Sequence, residues 1–291
     1  MSNKHRGLLF SFISSICFGL LPLLGKTFIS TFHPLFVAFV VTGIVDLYFA
    51  KLALFRKDLF KNFFHKEIMW VVLIGAFAAL GSTLAFFGLL LGKATSAGFL
   101  FQFETFFASI LAVIFLKEKL NKGQIKGLIF MFVGVYLFSV SFSTYFELGN
   151  LFFLGSAFFW GANDIIVKSK LRYFSPFFLA FGRNFFSLPI LFLLAREHII
   201  DNLQKVTLHD AIYFLLYGVL SAATVLFLYL AFRHIKTAEA TSFQLFSPAI
   251  TAVGAFFIFG ERLSFVQLGG GIIILLGLYL MTRSVRYNKS F

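Results

Sequence analysis

The chain has 291 residues, of which 59% are hydrophobic and only 13% charged, with a mean hydropathy of +0.92. A water-soluble domain carries about 25% charged residues, so the composition argues against a soluble enzyme, a nucleic-acid-binding module or a disordered chain, and for an integral membrane protein. The formal net charge of +13 then reads as a topological signal rather than a nucleic-acid footprint, because basic residues collect in the cytoplasmic loops of membrane proteins.

A transmembrane helix needs about 20 apolar residues. Apolar stretches over 7–29, 33–54, 68–91, 94–116, 123–143, 149–171, 175–195, 210–232, 237–259 and 264–283 predict ten such spans in an all-α fold. The linkers with real polar content, 55–67 and 196–209, are too short for a soluble domain. The N-terminal segment runs into the first span without a small-residue cleavage site, so no cleavable signal is expected. With the N-terminus inside, 19 of the 25 Lys and Arg residues fall on the inner side, five on the outer side, and Arg183 within a span. That bias, with an even number of spans, predicts a multi-pass protein of the cytoplasmic membrane with both termini cytoplasmic. The single cysteine, Cys17, leaves no intramolecular disulfide framework or cysteine-based metal cluster. The 47 phenylalanines either fill lipid-facing positions or line an aromatic cavity, and the count alone does not choose.

The sequence aligns to itself. Gly7, Gly19, Lys26, Phe32, Pro34, Phe36, Ala38 and Phe39 recur 142 residues later as Gly149, Gly161, Lys168, Phe174, Pro176, Phe178, Ala180 and Phe181. After one inserted residue, Gly75, Lys93, Ala97, Phe103, Glu118, Leu120, Gly127, Gly134 and Tyr136 recur as Gly218, Lys236, Ala240, Phe246, Glu261, Leu263, Gly270, Gly277 and Tyr279. Identities at a constant shift signal duplication, which divides the chain into repeats over 7–143 and 149–283. Each repeat holds five spans, an odd number, so the second enters the membrane from the opposite side. Inverted repeats of this kind are typical of secondary transporters.

Several short motifs stand in order along both halves: Phe18-Gly19 and Trp160-Gly161, His33-Pro34 and Ser175-Pro176, Arg183, Ser247-Pro248, Lys117-Glu118-Lys119-Leu120 and Gly260-Glu261-Arg262-Leu263. In these the chain resembles the drug/metabolite transporter superfamily, in its ten-helix EamA-type branch, over about residues 7–283. The halves differ where Thr105 faces Pro248 and Val41 faces Arg183, which points to an asymmetric substrate site. Small residues at a spacing of four (Ser11, Ser15 and Gly19; Gly75, Ala79 and Thr83; Ala157 and Gly161; Gly218 and Ala222) predict close helix contacts. Gly127 and Gly134 on the fifth helix match Gly270 and Gly277 on the tenth. In the family such helices pair within one molecule or between two, so a homodimer through helices 5 and 10 is an alternative to intramolecular pairing.

Ionisable groups within spans are costly and default to functional candidates. Arg183 lies about 12 Å into the seventh span at 1.5 Å per residue, with a planar fork of donors suited to a carboxylate or phosphate, or else it forms a structural ion pair. Asp164 on the sixth span, beside Asn163 and one turn from Trp160, lies at a similar depth, so it pairs with Arg183 or with Lys168. Glu104, near the middle of the fourth span and close to Gln102, is the candidate for proton coupling or cation binding. Asp46 reads as a partner for Lys51, and Glu239 as a helix cap with Gln244 deeper as a cavity residue. Glu118 and Glu261 read as interfacial structural groups. Phe101, Phe243, Tyr229 and Trp160 are the expected apolar wall. His5, His33, His65, His198, His209 and His234 fall in loops or at span ends, and no metal-binding or nucleophile–base pattern appears, so no catalytic or metal site and no cofactor is expected. The expectation is a secondary transporter for a small metabolite, an amino acid or related zwitterion, moving it by alternating access between the repeats. Its expected partners are the substrate and the lipid bilayer, without nucleic acid. A proton-coupled exporter of lipophilic cations and a carrier for a nucleotide-derived metabolite remain open.

Overall fold

The computed structural model describes residues 3–54, 65–117, 119–139, 148–171, 173–235 and 243–284. Glu118 and Glu239 lie outside the described residues, as do the side chains of Tyr229 and Lys51. The described chain is helical, with no strand, as a segment in lipid must be when it has to satisfy its own backbone hydrogen bonds. The first three spans are α1 (Asn3–Ile29), α2 (Pro34–Leu54) and α3 (Ile68–Leu91). The fourth is broken into α4 (Ala94–Leu100) and α5 (Phe103–Leu116). Then come α6 (Lys122–Ser139), α7 (Leu148–Lys170), α8 (Pro176–Leu203) and α9 (Leu208–His234). The ninth span is a 3-10 turn over Gln244–Phe246 leading into α10 (Ser247–Phe259), and the tenth is α11 (Phe265–Ser284).

Duplication is visible in how the spans pack. The fifth lies on the tenth and the second on the seventh; the first lies on the eighth as the sixth does on the third, and on the ninth as the sixth does on the fourth. Each contact maps onto itself or another when the halves are exchanged. The backbone repeats too: the turn after Leu100 and the 3-10 turn starting at Gln244 interrupt the fourth and ninth spans at equivalent positions. Lys117 and Gly260, 143 residues apart, end α5 and α10 in the left-handed region, at φ 54 and 66.

Glycine makes the closest of these approaches. A Cβ on Gly19 would lie 2.7 Å from the Ser247 carbonyl, and one on its repeat mate Gly161 would lie 2.7 Å from the Glu104 carbonyl. Backbones therefore touch where the broken fourth and ninth spans cross α7 and α1, as the small-residue spacing predicts. The expected glycine pairing of the fifth and tenth spans occurs within the chain. A Cβ on Gly127 would meet the Gly277 carbonyl at 2.6 Å, and one on Gly134 the Gly270 carbonyl at 2.9 Å. Those faces are occupied, so a homodimer through helices 5 and 10 would have to use their other sides.

The ends of the bundle differ. At the end where α1 and α3 finish, Phe28 stacks on Phe214 at 4.2 Å, and Phe32, Phe36, Phe86 and Tyr217 close around them in one continuous cluster. Polar ties reinforce it. Lys26 Nζ donates to the Gly92 carbonyl at 2.7 Å. The Glu261 carboxylate accepts from the backbone N–H groups of Ala94 and Thr95, both at 2.9 Å, which caps α4 and matches the interfacial role expected of Glu261. At the other end, among the described residues, two clusters pack apart. Val71, Ile74, Leu171, Phe174 and Phe178 join α3, α7 and α8, while Ala231 and Ile235 join α9 to Leu8 and Phe10 of α1.

His33 sits at the closed end. Its ring stacks on His198 at 3.6 Å, and its backbone N–H donates to Asn202 Oδ1 at 2.9 Å. Burial, and secondarily the neighbouring His198, push the His33 pKa below the ordinary 6.5. The unfolded chain then binds the proton more readily, so this contact stabilises fully above about pH 6.5 and fades as the pH falls through the lowered value. The melting temperature should drop on acidification from about pH 7.5 to about pH 5. In His33→Phe, which keeps a ring on His198 but takes no proton, the drop should be smaller.

Candidate functional site

Between the halves lies a cavity of about 380 Å³, within the roughly 300–1,000 Å³ of small-molecule sites. Six of the ten predicted site residues line it: Arg183, Asp164, Asn163, Trp160, Phe101 and Glu104. They arrive from α8, α7, the break in the fourth span and α5. The Glu104 and Asp164 carboxyls and the Arg183 guanidinium line the same cavity, and Arg183 acts electrostatically on both carboxyls. Grouping two carboxyls with a guanidinium is one way ionisable groups are carried in a medium that penalises isolated charge. Asp164 and Arg183, placed at similar depth by the sequence, share this cavity with Glu104.

Three predicted residues stand elsewhere. Gln102 is buried, and its Nε2 donates to Ser247 Oγ at 3.1 Å, tying the fourth span to the ninth. Gln244 Nε2 donates to Ser14 Oγ at 3.0 Å, tying the ninth to the first. Phe243 packs edge-on against Phe12 and beside Phe246. None of the three lines the cavity. Both glutamines sit where the helices break and hold the breaks to neighbouring spans. For the fourth candidate wall residue, Tyr229, only the backbone is described, as part of α9. Asp46 is buried on α2 with its Oδ1 unpaired among the described residues. Pro248 stands in the first turn of α10.

The rest of the wall was hidden in the repeat. Phe18, Leu21, Pro22 and Val41 line the cavity, and each lies 142 residues before Trp160, Asn163, Asp164 and Arg183. Thr42 and Asn184 form a further such pair, and Ile74 and Tyr217, 143 apart, another. The cavity therefore straddles the relation between the halves. At the four equivalent positions one wall is wholly apolar, and the other carries an indole, an amide, a carboxyl and a guanidinium. Applying the repeat offset to each polar candidate would have found the apolar wall from sequence.

Six helices of the described chain are long and apolar enough to cross a membrane, and three shorter apolar helices accompany them, which defines a multi-pass α-helical membrane protein. The model of the EamA-like transporter family matches the chain twice, over residues 5–140 and 147–283, and the chain belongs to that family. It is 32% identical over 112 residues to an uncharacterized transporter of Archaeoglobus fulgidus, covering 38% of this chain and 36% of that protein. It is 29% identical over 137 residues to an uncharacterized transporter in the sor 3′ region of Acidianus ambivalens, covering 47% and 49%. The chain thus spans between a third and a half of the length of these curated relatives. One solved crystal structure superposes with a TM-score of 0.67 at 14% identity, covering 98% of this chain and 99% of that one; at that identity the likeness concerns the fold.

Proposed function

We propose that the protein carries a small zwitterionic metabolite, an amino acid or a close relative, across the cytoplasmic membrane by alternating access between two inverted repeats. The observation that carries this reading is the two-faced cavity, with Arg183, Asp164, Asn163 and Glu104 on the polar side and Phe18, Leu21, Pro22 and Val41 among its apolar lining. Arg183 suits a carboxylate, since its planar fork can donate twice. The Glu104 and Asp164 carboxyls on the same wall suit an ammonium group. The apolar wall takes the side chain.

Exchange of the repeats supplies the movement. Among the described residues, the Phe28–Phe214 cluster closes one end in a continuous core, and the other end holds two separate packed groups. Inverting the roles of the halves would seal the second end and part the first. The Lys and Arg bias supports reading the split end, with both termini, as cytoplasmic. The break in the fourth span sits at the cavity, at Phe101, where irregular backbone is tolerated in membrane proteins.

The test is ligand-dependent melting of the purified protein, followed by uptake into proteoliposomes. A ligand bound only by the folded state stabilises it by RT ln(1 + [L]/Kd). Leucine should raise the melting temperature and be transported, while tetraphenylphosphonium and uridine monophosphate should do neither. Stabilisation by tetraphenylphosphonium alone would replace this reading with a lipophilic-cation exporter, and by uridine monophosphate alone with a nucleotide-metabolite carrier.

A further inference from the structure

Asn163 is 3% exposed on α7, and neither its Oδ1 nor its Nδ2 finds a hydrogen-bond partner among the described residues. Both ends of a buried amide left open is unusual, because each unmet group carries its full desolvation cost. The other amides near the helix breaks are not in this state: Gln102 and Gln244 both donate to serine hydroxyls. Asn163 contributes to the cavity wall between Trp160 and Asp164. Arg183, on the same wall, has its Nε unpaired among the described residues as well. The polar wall thus holds one open acceptor, Oδ1, with open donors at Nδ2 and Nε. Across the repeat relation, the position of Asn163 is taken by Leu21.

We propose that Asn163 is a specificity-determining residue that reads an ammonium and a carboxylate on the same carbon, so that the cargo is an α-amino acid with an apolar side chain. The proposal rests on the zwitterion reading above and narrows it. Asn163 Oδ1 accepts from the cargo ammonium, and Nδ2 with Arg183 Nε donates to the carboxylate. Acceptor and donor on one side-chain amide are held a fixed short distance apart. A cargo with its charges on one carbon engages both, and one with its charges at opposite ends of a chain engages only one. The side chain of the cargo lies toward Leu21, Pro22 and Val41, where a second charge would stand unpaired.

Two isomers isolate this property. 2-Aminohexanoate and 6-aminohexanoate contain the same atoms and charges and differ in where the amine is placed. The wild-type protein should bind 2-aminohexanoate at least about a hundredfold more tightly, measured by ligand-dependent melting and calorimetry. In Asn163→Leu that preference should shrink to within about threefold, with the loss falling on 2-aminohexanoate, because two hydrogen bonds to charged groups are removed. A merely structural role would weaken both isomers together and leave the ratio intact, which overturns the proposal while the zwitterion reading stands. If Asn163→Leu does not fold, Asn163→Asp serves. It keeps an acceptor and loses the donor, so hexylamine should still bind and hexanoate should not; equal binding of both overturns the proposal. If wild type binds leucine but does not discriminate the isomers, the proposal fails alone. If it binds no amino acid at all, the zwitterion reading fails and takes the proposal with it.

Discussion

Arg183→Ala should abolish leucine-induced stabilisation and also lower the stability of the unliganded protein. Arg183 is the cation acting on both cavity carboxyls, and without it their charge is left uncompensated in a medium that penalises isolated charge. Three variants separate binding from folding. Arg183→Lys keeps the charge without the fork, so it should recover more stability than affinity. Arg183→Ala combined with Asp164→Asn removes both charges and should recover stability with no recovery of leucine binding. Glu104→Gln removes one cavity carboxyl and should weaken ligands bearing an amine. If Arg183→Ala retained leucine binding in a folded protein, the carboxylate would be held elsewhere.

The second large effect is expected far from the cavity. Gly277→Ala should destabilise by about 2 kcal/mol, within the range for overpacking a tight contact. A Cβ there would lie 2.7 Å from both the Gly127 carbonyl and the Met131 backbone nitrogen, and backbone cannot turn aside as a side chain can. Gly269→Ala, two turns earlier on α11, has nothing within 4 Å of the added Cβ. It should gain up to about 1 kcal/mol from helix propensity. Melting temperatures of the two variants in one detergent give the comparison. Equal shifts would mean that the fifth and tenth spans do not meet through these glycines.

The split between what was legible in the sequence and what was not follows from the solvent. In lipid every span must be apolar, so hydropathy alone predicted the helices, with ends mostly within a few residues of those observed; the largest difference is α8, which runs to Leu203 rather than to about 195. The cost of burying charge made Arg183, Asp164 and Glu104 conspicuous, whereas the apolar wall opposite them carries no such mark. Rotation about each helix axis was not readable in the same way. Apolar side chains face both lipid and protein, so no polar stripe marks the inner side as it would on a soluble helix. Gln102 and Gln244 looked like cavity residues because they are polar at the right depth, yet both turn to serines on neighbouring spans.

His33 and His198 were assigned to span ends, and their stacking at 3.6 Å depends on how α2 meets α8. What the sequence by itself determined is the class of protein, the number of its spans, its duplication and the polar groups it keeps in the membrane, because these follow from transfer free energy and counting. Only the tertiary structure decided which of those groups share the cavity, which wall of it is apolar and which end carries the continuous aromatic cluster. Those depend on backbone contacts at glycines such as Gly19, Gly161 and Gly277, and on hydrogen bonds between spans far apart in the chain.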